Sequence, residues 1–383
     1  MSADCDLLTG GERLNAMRRR AAAEGRPLHG TLALTHRCNF RCVHCYMQPG
    51  ARPPERELST AEWLVLAGEA AEAGCFSILL TGGEPLLRAD FAEIYLGIRK
   101  LGIHVMLFTN ASLVDDSIIR TLQAAPPRLI EVSVYGASAD TYQCVTGRAE
   151  NYGHTLRGIA LLRQAGLPVR LKTVLMQPNR HDFLAIRALA ADGEPPVRYD
   201  AMLQSRYHGD EAIKALRIPP EEVVELEARA IPELPAQWAA QQARREQWTP
   251  PAGNPLYTCA AGVVSFYVTA AGRVQPCVSA ERYGVPWTPG GLLEAFRACR
   301  ASVRAVRAPP GHPCAACRVF VLCGNCPPIA ELECGDEGGV CSYACRLAHE
   351  RGKRMENKWR GGHHSDFAMS EPTPYTMQQK VNP

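Results

Sequence analysis

Six times between residues 31 and 203, a short apolar or β-branched run alternates with a longer stretch of helical periodicity. Strands are expected at 31–35, 76–81, 103–109, 129–135, 169–176 and 197–203. Helices are expected at 60–73, with Ser59 or Thr60 as N-cap, and at 90–101, 114–124, 152–165 and 182–191. Such alternation builds an α/β fold, a parallel sheet with right-handed crossovers and helices on its outer face. Reactive groups then belong at the C-terminal ends of the strands, while spacing alone leaves a closed barrel and an open sheet both possible.

A chain of 383 residues, 46% hydrophobic and 21% charged, can bury one large domain plus a smaller one. Its formal charge of +3, with no basic stripe, argues against nucleic acid or an anionic membrane as partner. The opening Met-Ser-Ala-Asp-Cys-Asp is not a signal segment, and charges interrupt every long apolar run, so a cytoplasmic protein is expected. In that setting sixteen cysteines point to metal or cluster ligands rather than disulfides.

Cys38, Cys42 and Cys45 follow the first strand with x3 and x2 spacing. Three thiolates can hold three irons of a four-iron cluster, leaving the fourth iron open to an outside ligand. Zinc, the alternative, prefers four ligands in paired knuckles, and this cluster of three does not supply the fourth. Strand two runs into Thr81-Gly82-Gly83-Glu84-Pro85, where glycines permit close backbone approach to a ligand and the carboxylate can accept from an ammonium group.

Together these motifs resemble the signatures of the radical S-adenosylmethionine (SAM) enzymes. The resemblance implies a partial (βα)6 TIM-like barrel, with a SAM-binding [4Fe–4S] cluster on Cys38, Cys42 and Cys45. In that family the open iron takes the amino and carboxylate groups of SAM, and an electron from the cluster releases a 5′-deoxyadenosyl radical. His44 fits the usually aromatic position before the third cysteine. Gly82, Gly83 and Glu84 would meet the SAM amino group, and Asn110, Ser133 and Lys172 lie at strand ends facing the cofactor. Strand four reads Ser133-Val134-Tyr135-Gly136, where the family more often has Ser-Leu-Asp-Gly, so Tyr135 has no assigned role. Arg198, Asp200 and Arg206 either face substrate or form structural salt bridges.

A second cysteine field begins with Cys259-x12-Gly272-x4-Cys277, a hairpin over 266–269 and 273–275. Cys314-x2-Cys317-x5-Cys323-x2-Cys326 and then Cys334, Cys341 and Cys345 follow. The two Cys-x2-Cys pairs keep a zinc site open as an alternative. The pattern resembles the SPASM extension, although its last spacing is one residue shorter than usual. That likeness implies two auxiliary [4Fe–4S] clusters. The nearer is on Cys259, Cys277 and Cys326 with no assignable fourth ligand, and the outer is on Cys314, Cys317, Cys323 and either Cys345, preferred, or Cys341. Cys5, Cys75, Cys144 and Cys299 read as structural thiols, and His363 and His364 as part of a solvated tail. The expected divisions are a lead at 1–27, the barrel at 28–218, a helical linker at 219–255, an auxiliary-cluster domain at 256–350 and a flexible tail at 351–383.

Members of the SPASM group mostly modify peptides or proteins, forming a crosslink or thioether or oxidising a side chain, with an auxiliary cluster taking up the second electron. The expected partners are therefore a peptide or protein substrate and an electron donor such as flavodoxin or ferredoxin. Only about 30 residues precede the barrel, so a separate peptide-carrier protein is also expected. No general base stands out. A small-metabolite substrate such as a tetrapyrrole or sugar, or a non-catalytic iron-sulfur or zinc protein, are the alternatives. An electron carrier has no use for the ammonium-binding turn at Gly82 to Pro85.

Overall fold

The computed structural model describes residues 10–47, 56–206, 211–246 and 254–359. Cys5, His363 and His364 lie outside the described residues, as does 247–253 of the expected linker. Helix α1 (Gly10–Glu24) leads into β1 (His29–Ala33), α2 (Thr60–Glu72), β2 (Ser77–Thr81), α3 (Phe91–Lys100), β3 (His104–Thr109), α4 (Asp116–Ala124) and β4 (Leu129–Ser133). Then come α5 (Ala139–Thr146), α6 (Asn151–Gln164), β5 (Val169–Val174), α7 (Phe183–Arg187), β6 (Arg198–Asp200), α8 (Pro220–Ala230) and α9 (Leu234–Glu246). The C-terminal part holds β7 (Ser265–Val268), β8 (Arg273–Gln275), β9 (Val285–Pro286), α10 (Leu292–Ala305), α11 (Pro327–Cys334) and α12 (Ser342–Trp359).

Strands β1 to β6 lie side by side in chain order and pair in parallel. Among the described residues β6 does not close onto β1, so the sheet is a partial barrel of six βα units. Helix α2 shows why such helices form here. Ser59 accepts from the Glu62 N–H and the Glu62 carboxylate accepts from the Ser59 N–H, a reciprocal cap. Its buried residues Trp63, Leu66, Ala67 and Ala70 recur at one face and pack on the core side chains Ile78 and Leu80 of β2.

Three departures from the sequence reading have identifiable causes. The hairpin expected to open a separate domain instead joins the sheet: β7 pairs in parallel with β1, and β8 and β9 extend it antiparallel. Gly30 makes that junction possible, because a Cβ there would lie 2.6 Å from the Phe266 ring on β7. The polar lead contains helix α1, whose Ala21 packs with Leu28 and Val264. Helix α12 runs past the expected boundary at 350, and Arg351 there is paired with the fully buried Glu227 of α8. Strands four to six end earlier than expected because side chains take over their last backbone groups. Asn179, itself fully buried, donates to the Val174 and Tyr135 carbonyls and accepts from the Met176 N–H, and Asp200 accepts from the Met202 N–H.

Candidate active site

The C-terminal ends of the parallel strands surround a cavity of about 450 Å³. One wall is the loop after β1, which carries Cys38, Cys42, His44 and Cys45; the others come from the Gly82 to Glu84 turn and from β3 to β6. The cysteine loop has almost no regular structure, so side chains and neighbouring backbone hold it. The Arg41 and Val43 N–H groups donate to the Thr146 and Val145 carbonyls at 3.2 and 2.9 Å, and the Arg206 guanidinium donates to the Val43 carbonyl at 2.9 Å. Arg206 therefore braces the loop, and Arg198 pairs with buried Glu131 at 2.7 Å, as does Arg170 at 3.4 Å.

Glu84 is 1% exposed, at the cavity wall. Its Oε1 accepts from the Thr109 hydroxyl at 2.7 Å and the Leu86 N–H at 3.1 Å, and its Oε2 accepts from the Asn110 N–H at 2.7 Å. Burial nevertheless pushes its carboxyl up to about 7. Lys172 stands across the cavity with its Nζ 3.1 Å from the centre of the Phe108 ring, and burial pushes it down to about 7 against the pull of Glu131. Ser133, on β4, also lines the cavity.

Two of the expected positions gain a further role. Gly82 and Gly83, read as letting the backbone come close to a ligand, both line the cavity. Cβ atoms there would lie 2.4 Å from the Thr35 carbonyl oxygen and 2.2 Å from that of Arg37, so the glycines also let the turn pack against the entry to the cysteine loop. The Gly83 and Glu84 N–H groups then donate to those same two oxygens, at 2.8 and 2.9 Å. Asn110, expected to face the cofactor, does line the cavity. Its Oδ1 accepts from the Ser112 N–H and hydroxyl and its Nδ2 donates to Asn39, which in turn donates to Ser112, so it mainly orders the cysteine loop. Asn39 and Ser112 were not legible in the sequence, since neither stands in a motif.

His44 is held neutral by burial, which lowers it to about 4, and its Nδ1 is buried without a partner. Its ring lies 4.9 Å from that of Tyr135. Mutual repulsion and burial push up the Cys38 and Cys42 thiols, an electrostatic sign that the three sulfurs are neighbours.

The later cysteines fall into two groups by the same sign. Cys277 feels Cys259, and Cys326 feels both. Cys314 feels Cys317, Cys323 and Cys345, which also act on one another. Cys341 belongs to neither. Its thiol is buried and donates to Glu333 at 2.9 Å, and that carboxylate is itself paired with Arg217, whereas Cys345 stands with Cys314, Cys317 and Cys323. Cys334 is exposed beside Glu333 and Asp336, and it supplies no fourth thiol to the first group. Among the described residues, no three His, Cys, Asp or Glu side chains converge as the ligands of a single metal ion do. The first group lies next to a cavity residue in sequence: Val278 lines the cavity, and the Ser279 hydroxyl bonds Gln204, another lining residue, at 3.1 Å. No helix among the described residues is long and apolar enough to cross a membrane.

Residues 32–190 match the family model described as the radical SAM superfamily. Over 335 residues the chain is 29% identical to the AdoMet-dependent heme synthase of Methanosarcina barkeri, covering 81% of this chain and 95% of that one. It is 26% identical over 251 residues to the sporulation killing factor maturation protein SkfB of Bacillus subtilis, covering 66% of this chain and 60% of SkfB. Several curated relatives, probable GTP 3′,8-cyclases, are matched over about half their length. Among solved structures, Streptococcus suis SuiB bound to precursor peptide SuiA superposes with a TM-score of 0.65 at 15% identity, covering 88% of this chain and 82% of SuiB.

Proposed function

Because the chain carries a radical SAM domain at residues 32–190, we propose that it oxidises a peptide or protein substrate by two electrons, using SAM and iron-sulfur clusters. Enzymes of this superfamily use SAM with a [4Fe–4S] cluster, and the residues present fit both. Cys38, Cys42 and Cys45 offer three sulfur donors on one cavity wall, and Glu84 and Lys172 offer opposite charges across from each other. When bound, the cluster supplies the electron that cleaves SAM to the radical that takes a hydrogen atom from substrate.

The chain's own part is to hold and orient. Glu84 keeps one acceptor position on Oε2 for the SAM ammonium group, and Lys172 can face its carboxylate. Substrate must approach over β5 and β6, past Arg198 and Asp200. Cys259, Cys277 and Cys326 would hold one auxiliary cluster, and Cys314, Cys317, Cys323 and Cys345 the other.

One observation carries the oxidative reading: Val278, next in sequence to Cys277, lines the cavity, and Ser279 bonds the lining residue Gln204. Cys277, adjacent to that lining residue, would help hold a group able to accept an electron. The substrate loses a hydrogen atom, then a proton and a second electron. Similarity to SkfB, a maturation protein, and likeness of fold to SuiB support a peptide as substrate. A reduced flavodoxin or ferredoxin would supply electrons, and a separate carrier would present the peptide. The second reading, a tetrapyrrole substrate, is favoured by the heme synthase, matched over nearly its whole length.

The test is label transfer. With SAM and reductant, the reconstituted protein should move deuterium from a deuterated peptide into 5′-deoxyadenosine, and Cys42→Ala should form none. Transfer from a deuterated tetrapyrrole but from no peptide would select the second reading, and 5′-deoxyadenosine from Cys42→Ala would overturn the site.

A further inference from the structure

On the reading of the cavity given above, as the place where SAM and a substrate meet, we propose that Arg198 receives a carboxylate of the substrate, so that the chain selects acidic substrates.

Arg198 stands in a cluster with one carboxylate too few. Register places Glu131 opposite Arg170, and sets Ser133, Lys172 and Arg198 side by side across β4, β5 and β6. Alternate residues of a strand share a face, so Glu131, Arg170, Lys172 and Arg198 lie on one face of the sheet, opposite the core side chains Ile130, Val132, Val169 and Leu171. Two guanidiniums share the same carboxylate: Glu131, 3% exposed, accepts from Arg198 at 2.7 Å and from Arg170 at 3.4 Å. Lys172 beside them is a third cation, and like charges directly opposite one another on neighbouring strands repel. The face of Phe108 answers part of this charge, with Lys172 Nζ 3.1 Å and Arg198 Cζ 5.6 Å from the ring centre.

With Glu84 and Lys172 answering the two ends of SAM, whose sulfonium adds a further positive charge, the surplus falls on Arg198. Its side chain lines the cavity and is 53% exposed. Among the described residues the one hydrogen-bond partner of its guanidinium is Glu131, through Nη2, which leaves the rest of a five-donor fork for a ligand. Asp200, two residues on, accepts from the Met202 N–H at 2.8 Å and forms no ion pair with Arg198 among the described residues. Because Glu131 already holds the guanidinium, little freedom is lost when a ligand binds it. A planar carboxylate matches such a fork through two parallel N–H donors. In a peptide it belongs to an aspartate or glutamate side chain or to the chain end, and a tetrapyrrole would bring it as a propionate. Arg198 is thus a specificity-determining residue.

The experiment is equilibrium binding to reconstituted full-length protein saturated with SAM. N-acetylglutamate α-amide is compared with N-acetylglutamine α-amide, N-acetylalanine with its amide, and a propionate-bearing tetrapyrrole with its methyl esters. In at least one pair the carboxylate should bind about tenfold or more tightly than its neutral counterpart, and the pair that does so names the source of the group. Arg198→Met, which leaves Glu131 paired with Arg170, should bring that ratio close to one with iron content retained. Arg198→Lys, which keeps the charge without the fork, should restore only part of it. No preference for the carboxylate in any pair would overturn the proposal. So would a preference that Arg198→Met leaves intact, or one that disappears only with loss of iron, which would make Arg198 structural. Failure of the unsubstituted protein to bind SAM, measured before any probe is added, would instead overturn the reading of the cavity.

Discussion

Glu84 and Lys172 illustrate how burial sets the chemistry of single residues. The carboxyl is raised to about 7 and the ammonium lowered to about 7, both by burial. If they hold the two ends of an amino-acid moiety, Glu84 must be ionised and Lys172 protonated. Affinity for SAM should therefore peak near pH 7, fall below it as Glu84 takes up a proton, and fall above it as Lys172 loses one. Equilibrium binding to the reconstituted protein should show both limbs. Glu84→Gln should remove the acid limb and Lys172→Met the alkaline limb, whereas pH-independent binding by the unsubstituted protein would contradict the assignment. Residues within motifs were legible in the sequence because their spacing is itself chemical information. Asn110 lines the cavity as expected, but its position at a strand end did not reveal that its side chain also bonds Asn39 and Ser112. Tyr135 was visible only as a departure, and the structure places it at the cavity wall with its ring 4.9 Å from that of His44.

At the scale of elements, the junction of β1 with β7 joins the two cysteine regions into one sheet. It depends on Gly30 leaving room for Phe266; Phe266 lies in a segment read as a hairpin strand, whereas Gly30 stands one residue before the strand expected at 31–35. What the sequence could not show was their pairing, because hairpin signals are local and a parallel partner more than two hundred residues away leaves no periodic trace. Helix α1 was missed for a related reason: its short apolar face acquires meaning only against Leu28 and Val264. Gly30→Val should force the strands apart at a cost of about 1–3 kcal/mol. The expected outcome is a lower thermal midpoint and less iron on the Cys259, Cys277 and Cys326 side, with SAM cleavage still detectable. Unchanged stability and iron content would mean that the junction does not hold the hairpin.

Over the whole molecule, buried ion pairs tie the C-terminal helices to the barrel. Glu227 accepts from Tyr199 of β6 at 2.9 Å and pairs with Arg351 of α12, while Arg217 pairs with Glu333 of α11. Glu69 of α2 accepts from the Trp287 indole and from the Gly290 and Leu292 N–H groups, capping α10. Arg351→Met should leave the Glu227 carboxylate buried with only a neutral partner, at a cost of about 3–5 kcal/mol read from chemical denaturation; a negligible loss would show that α12 is held by packing instead. The alternation of strands and helices was sufficient to foresee the barrel, and the cysteine count marked out the second cysteine-rich region. Their fusion through one sheet, with Val278 beside Cys277 lining the cavity, gives the oxidative reading its physical basis. That reading is tested most directly by iron and acid-labile sulfide per chain after anaerobic reconstitution. Three four-iron clusters predict about twelve of each; about four of each, with zinc on the C-terminal cysteines, would contradict it.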